Sequence, residues 1–165
     1  MHISVSKQRL SVKRDGKTEL TFPISTSKYG LGCAEGSFKT PTGRFRIAEK
    51  IGSGQPVDIA YKSRVPLKPS REMLESDDLV MSRILWLDGL EAANANTYSR
   101  YIYIHGTNHE EHIGEPASHG CVRMKNEDIA ALFKLVQVGM RIVIAPPRVV
   151  RRGTKKREKS VARTK

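Results

Sequence analysis

One of the chain's two cysteines, Cys121, lies inside Ser118-His119-Gly120-Cys121-Val122-Arg123-Met124, sixteen positions after His105 of His105-Gly106-Thr107. Thiols attack acyl carbons as thiolates. With an ordinary pKa of ~8.5, a cysteine needs a base or a cation to react at neutral pH. His105 can be that base, because it closes the apolar run Tyr101-Ile102-Tyr103-Ile104, which reads as a buried strand able to aim an imidazole. Gly106 would let the chain turn away at once. Gly120 removes a side chain before Cys121, so the N–H groups of Gly120 and Cys121 could face an oxyanion, with Ser118 beside them. His119 either joins the chemistry or packs. Arg123, two positions after Cys121, offers a planar fork suited to a substrate carboxylate.

Two rival readings use the same residues. A lone cysteine is commonly a small buried apolar residue. However, Cys121 follows a glycine and precedes a Val-Arg pair outside any apolar period. His105, His109, His112, His119 and Cys121 could also offer zinc ligands. Against that reading, His109 and His112 sit in a polar loop with Asn108, Glu110 and Glu111, without the paired cysteines of structural zinc. No metal and no cofactor are expected. Cys33, in Gly30-Leu31-Gly32-Cys33, reads as a free or packed thiol.

The elements around the motif are mostly strands. Ile3 and Val5, then Leu10 and Val12, alternate at period two, and Asp15-Gly16 signals a hairpin before Leu20, Phe22 and Ile24. Residues 25–39 read as loop, ending at Thr40-Pro41-Thr42-Gly43, which turns into a strand at Arg44-Phe45-Arg46-Ile47. Residues 52–82 read either as a lid beside a cleft or as a surface excursion, with a short helix within 71–81. Ile84-Leu85-Trp86-Leu87 reads as a strand turned by Asp88-Gly89. A helix is expected from Asn126 as N-cap, with Glu127 and Asp128 in its first turn. Ile129, Leu132, Phe133 and Val136 form its apolar stripe, and Gly139 its stop. Residues 140–145 form a closing strand before Pro146-Pro147. The fold class is therefore mostly β with one packed helix near the C-terminus.

A chain of 165 residues with 38% hydrophobic content fits one domain, placed at 1–147. The formal charge of +12 is uneven: residues 148–165 hold nine Lys or Arg and one Glu, a net of +8, leaving +4 for the rest. That basic tail is expected to be solvated, disordered and attracted to anionic polymers. No transmembrane segment is legible, and Met1-His2-Ile3-Ser4-Val5-Ser6 lacks the apolar core of a secretory signal. A monomer is expected.

His105-Gly106-Thr107, Ile113-Gly114 and Ser118-His119-Gly120-Cys121-Val122-Arg123-Met124, with Asn126 and Asp128, resemble the signature of the L,D-transpeptidase (YkuD) catalytic domain. Thr40-Pro41-Thr42-Gly43-Arg44-Phe45 is similar to that family's second motif, and the resemblance spans roughly residues 3–145. It implies a β-sandwich or barrel with a cysteine nucleophile acting on peptidoglycan stem peptides. Cys121 would attack the carbonyl of the third, L-centred residue of a tetrapeptide, expelling D-Ala, and His105 would move the proton. A stem amine as acceptor gives a cross-link, and water gives an L,D-carboxypeptidase. It also implies a cell-envelope location, in tension with the lack of a legible signal in this chain, so a start at a mature boundary, an unusual export route and a cytoplasmic site all stay open. The reading from another class is a non-catalytic module that binds cell-wall stems or polyanions, with Cys121 incidental.

Overall fold

The computed structural model describes residues 1–147. Strands β1 (His2–Ser4), β2 (Arg9–Arg14) and β3 (Lys17–Pro23) run antiparallel to one another, β2 and β3 being joined by the Asp15-Gly16 turn. Leu10 is fully buried and Val12 packs on the core, whereas Arg9, Ser11 and Lys13 face away, as period-two alternation requires. Then follow β4 (Gly43–Ile51), β5 (Ala60–Lys62), β6 (Val65–Leu67), α1 (Arg71–Ser76) and β7 (Val80–Gly89). The motif region supplies β8 (Tyr103–Gly106) and β9 (Val122–Met124), and the chain closes with α2 (Asn126–Leu135) and β10 (Arg141–Ala145).

All ten strands join one sheet in the order β3-β2-β1-β10-β4-β7-β5-β6, with β8 branching from β7 and β9 from β8. The sheet is mixed: β1 runs parallel to β10, and β8 parallel to β9. β7 is the branch point because its ten residues pair at different registers with β4, β5 and β8, and both its faces are covered. Leu85 and Leu87 enter the main core with Phe45, Ile104 and Ile129, while Ile84 and Trp86 enter a second cluster with Tyr61 and Tyr103. Burial on two sides is why Ile84-Leu85-Trp86-Leu87 reads as an unbroken apolar run. Each such fully buried side chain stabilises the fold by roughly 1.5–3 kcal/mol.

α2 lays Ile129, Leu132 and Phe133 against β7 and β8, as the stripe predicts. Its ends differ from the expectation. Lys125, not Asn126, occupies the N-cap position, and Asn126 is the first helical residue, its side-chain amide donating to the Thr107 carbonyl at 2.9 Å. Its Oδ1, the atom a cap would use, accepts no hydrogen bond among the described residues. The helix also ends at Leu135 rather than at Gly139, with Val136 extended and buried in the core. Gly139 instead serves the turn into β10, its N–H bonded to the Ile47 carbonyl. The short helix expected within 71–81 is α1, capped by Ser70. The basic run 148–165 lies outside the described residues, and no described helix is long and apolar enough to cross a membrane.

Candidate active site

The parallel pairing of β8 with β9 builds the site. Its register sets Ile104 beside Val122 and His105 beside Arg123, so Tyr103 falls beside Cys121. Alternation then divides the side chains. Ile104 and Val122, both fully buried, point into the core, whereas Tyr103, His105, Cys121 and Arg123 form a two-by-two array on the opposite face. His105, Cys121, Arg123, Ser118 and His119 line one cavity of about 130 Å³, together with Asp78 and Val80.

The His105 ring is 4% exposed overall, and its Nδ1 lies 2.5 Å from the Gly106 carbonyl. A carbonyl can only accept, so Nδ1 carries the proton and Nε2 is left as the base. Burial pushes the imidazole pKa down to about 4 against the Gly106 contact, which favours the charged form. Cys121 Sγ donates to the Tyr101 carbonyl at 3.4 Å and accepts the Tyr103 N–H at 3.3 Å. Burial pushes its thiol up to about 11, although the Tyr103 N–H and the Arg123 and Arg100 charges favour the thiolate. Among the described residues no hydrogen bond joins Cys121 to His105. The resting pair is a neutral thiol and a neutral imidazole sharing one cavity.

Three expected roles change. Gly106 does not turn the chain: it is the last residue of β8, and a Cβ there would stand 2.1 Å from Asn126 Oδ1 and 2.8 Å from the Met81 carbonyl. It is small because strand, loop and helix converge on it. Gly120 has φ of +121°, while an added Cβ would meet nothing closer than 3.5 Å, so its backbone conformation is what requires glycine. Its N–H is bonded to Ser118 Oγ at 3.3 Å. Ser118, fully buried, donates to the Cys121 carbonyl at 2.6 Å and thereby shapes the loop.

Arg123 already has a carboxylate. It is 4% exposed, and its Nη2 is paired with Asp78 Oδ2, an atom that also lies 3.1 Å from His119 Nδ1. His119 is a rim residue, its ring centroid 5.6 Å from Tyr29 and 6.1 Å from Phe38. His109 and His112 stand near Glu111 and Glu115 on the loop, and among the described residues no three His, Cys, Asp or Glu side chains gather as metal ligands.

Sequence reasoning missed Asp78 and Asn108. Asn108 Nδ2 donates to the Leu74 and Asp77 carbonyls, and its Oδ1 accepts the Leu79 N–H, which ties residues 74–79 to the loop after β8. The available signal was an acidic pair, Asp77-Asp78, one residue short of the strand that pairs with His105's own. Thr40 was read as part of a turn motif without a fixed role. It is fully buried, and its hydroxyl donates to the Gly120 carbonyl at 2.9 Å, tying the second motif to the cysteine loop.

The family model described as the YkuD L,D-transpeptidase catalytic domain matches residues 1–144. Two Bacillus subtilis proteins assigned to the L,D-transpeptidases are similar to the chain. One, YkuD, is 46% identical over 142 residues, spanning 86% of this chain and 63% of that protein. The other, YqjB, is 30% identical over 145 residues, spanning 87% and 70%. In shape the chain resembles L,D-transpeptidase 3 from Mycobacterium tuberculosis in complex with a faropenem-derived adduct, with a TM-score of 0.56 at 19% identity. That likeness covers 88% of this chain and 59% of the other, and at such identity it speaks for the fold alone. Both the family match and the relatives run through His105 on β8 and Cys121 at the entry to β9, and the chain belongs to the YkuD family of L,D-transpeptidase catalytic domains.

Proposed function

We propose that the protein is a cysteine acyltransferase acting on peptidoglycan stem peptides as an L,D-transpeptidase. The observation that carries this reading is the shared face of β8 and β9, which puts a thiol and a tautomerically fixed imidazole into one cavity. A binding module has no use for that pairing, and a buried structural cysteine would not line a cavity with a free imidazole nitrogen.

The donor carbonyl enters between Cys121 and His105. Because thiol and imidazole are both neutral at rest, the proton leaves Sγ for His105 Nε2 as the carbon–sulfur bond forms, rather than before it. With the Gly120 N–H occupied, the Cys121 N–H is the donor we place on the tetrahedral oxyanion. Collapse of the intermediate expels D-Ala, whose amine takes the proton from His105, and leaves a thioester on Cys121. An amine acceptor then attacks that thioester, His105 removes its proton, and the thiol is regenerated with a new amide bond. Water in the acceptor's place gives the carboxypeptidase product by the same acylation step.

The test is turnover of a tetrapeptide stem. Wild type is expected to release one D-Ala per donor stem acylated and, with excess acceptor stem, to form a product joined through the donor's third residue. Cys121→Ala is expected to release none. D-Ala release by the alanine variant at the wild-type rate would remove the reading.

A further inference from the structure

A second concavity lies on the outer face of the β3-β2-β1-β10 end of the sheet, with a volume of about 870 Å³. Period-two alternation builds it: the residues that send Ile3 and Leu10 into the core send His2, Ser4, Arg9 and Ser11 outward. The register lines these up across strands, Ser4 beside Arg9, and Ser11 between His2 and Thr21, while Lys13 stands beside Thr18. Lys7 joins from the turn after β1.

The charge on this face is one-sided. Among the described residues no carboxylate lines the groove, and none comes within 4 Å of Lys7, Arg9 or Lys13. Elsewhere on the surface the pattern is divided: Arg44, Arg46 and Arg71 each have a carboxylate partner, whereas Lys62, Lys68 and Lys134 have none among the described residues, so what marks the groove is the gathering of its cations on one concave face. Burial, and then the neighbouring Lys13, hold His2 below its usual pKa. Exposed sheet faces ordinarily mix signs, so three unpaired cations among hydroxyls make an anion-binding surface.

We infer that this groove binds a phosphodiester chain, its cations pairing with phosphates and its serine and threonine hydroxyls donating to phosphate oxygens. The lining contains no aromatic residue, so bases would find nothing to stack on. The occupant is accordingly a base-free polyol phosphate of the cell-wall type, a choice of source that rests on the peptidoglycan function proposed above. The run at 148–165, with a net charge of +8, and the same face of a second copy both carry the wrong sign to be its occupant.

Poly(glycerol phosphate) binding to the full chain tests this by fluorescence anisotropy across a salt series. Lys7→Gln/Arg9→Gln/Lys13→Gln removes the groove charges, and Lys62→Gln/Lys68→Gln/Lys134→Gln removes equal charge from other exposed positions. The groove variant is expected to bind at least ~10-fold more weakly near 0.1 M salt, with its log–log salt slope reduced by about two. The control variant is expected to lose less than a third as much. Equal losses in the two variants would overturn the groove. Tighter binding of a single-stranded oligodeoxynucleotide with the same number of phosphates would overturn the choice of occupant. Carbapenem acylation at Cys121, measured on the same preparations, reports folding and the catalytic reading separately from polymer binding.

Discussion

His105 and Cys121 face each other across the cavity with their pKa values pushed apart, and this has a signature in stability. Burial lowers His105 from 6.5 to about 4, so below pH 6.5 the unfolded chain binds a proton that the folded chain refuses. Stability from this group is complete above pH 6.5 and falls as pH drops toward about 4. Cys121 acts at the other end: burial raises its thiol from 9.0 to about 11, so above pH 9 the unfolded chain releases a proton that the folded chain keeps. Its contribution falls as pH rises from 9 toward about 11. Denaturant midpoints across pH are expected to lose the acid-side slope in His105→Gln and the alkaline-side slope in Cys121→Ala. An unchanged acid limb in His105→Gln would mean that another group sets it. For chemistry, His105→Ala is expected to slow acylation roughly a hundred- to ten-thousandfold, the usual value of a lost general base. Arg123 belongs here too. Its buried guanidinium reaches Asp78 from β9, so Arg123→Lys is expected to cost roughly 1.5–3 kcal/mol in charge-assisted bonding. Melting temperature and reactivity with a small neutral thiol reagent should fall together. A normal melting temperature with loss of activity on stem peptides alone would instead make Arg123 a reader of substrate.

The elements that bear these residues were legible where a periodicity or a turn dipeptide marks them. Alternation at Leu10 and Val12, the Asp15-Gly16 hairpin, the apolar run of β7 and the stripe of α2 are local signals, and the structure has each of them. What joins elements distant in sequence was not legible. The parallel pairing of β1 with β10 brings Ile3 beside Ile144, and no local pattern states a partner so far along the chain. Asp78, Asn108 and Thr40 share that reason. Each acts through polar contacts to a segment some 30 to 80 positions away, and a single polar residue in a loop carries no period. The reading of Asn126 as a cap failed on the same ground, since its amide is turned to a partner outside the helix, the Thr107 carbonyl, and its Oδ1 takes none of the first-turn N–H groups a cap would hold. Asn108 gives the element-scale test. It alone makes three hydrogen bonds between the β8 loop and residues 74–79, so Asn108→Ala is expected to raise amide exchange across α1 and residues 77–79. Exchange in β8 should stay slow. Unchanged protection in α1 would show that Leu79 and Met73 packing holds this segment without Asn108.

At the scale of the whole molecule, chemistry and charge occupy separate regions. Cys121 and His105 lie on the β8–β9 branch, and the cationic groove lies on the β1–β3 end of the sheet. The family match ends at residue 144, one residue short of the end of β10, and the run at 148–165 holds +8 of the +12 charge. We expect a chain ending at Pro147 to react with a small soluble acylating probe at the full rate while binding anionic polymer more weakly and with less salt dependence. A loss of acylation on truncation would place the tail within the catalytic domain.

The most direct measurement is intact-mass analysis of the protein after reaction with a carbapenem, followed by peptide mapping. The central claim is that Cys121 is an acylating nucleophile activated by His105, and it predicts one added carbapenem mass per chain, located on Cys121 and absent from Cys33. The same adduct should be missing from Cys121→Ala and slow to form in His105→Ala. Label on Cys33, or undiminished labelling of Cys121→Ala, would contradict it.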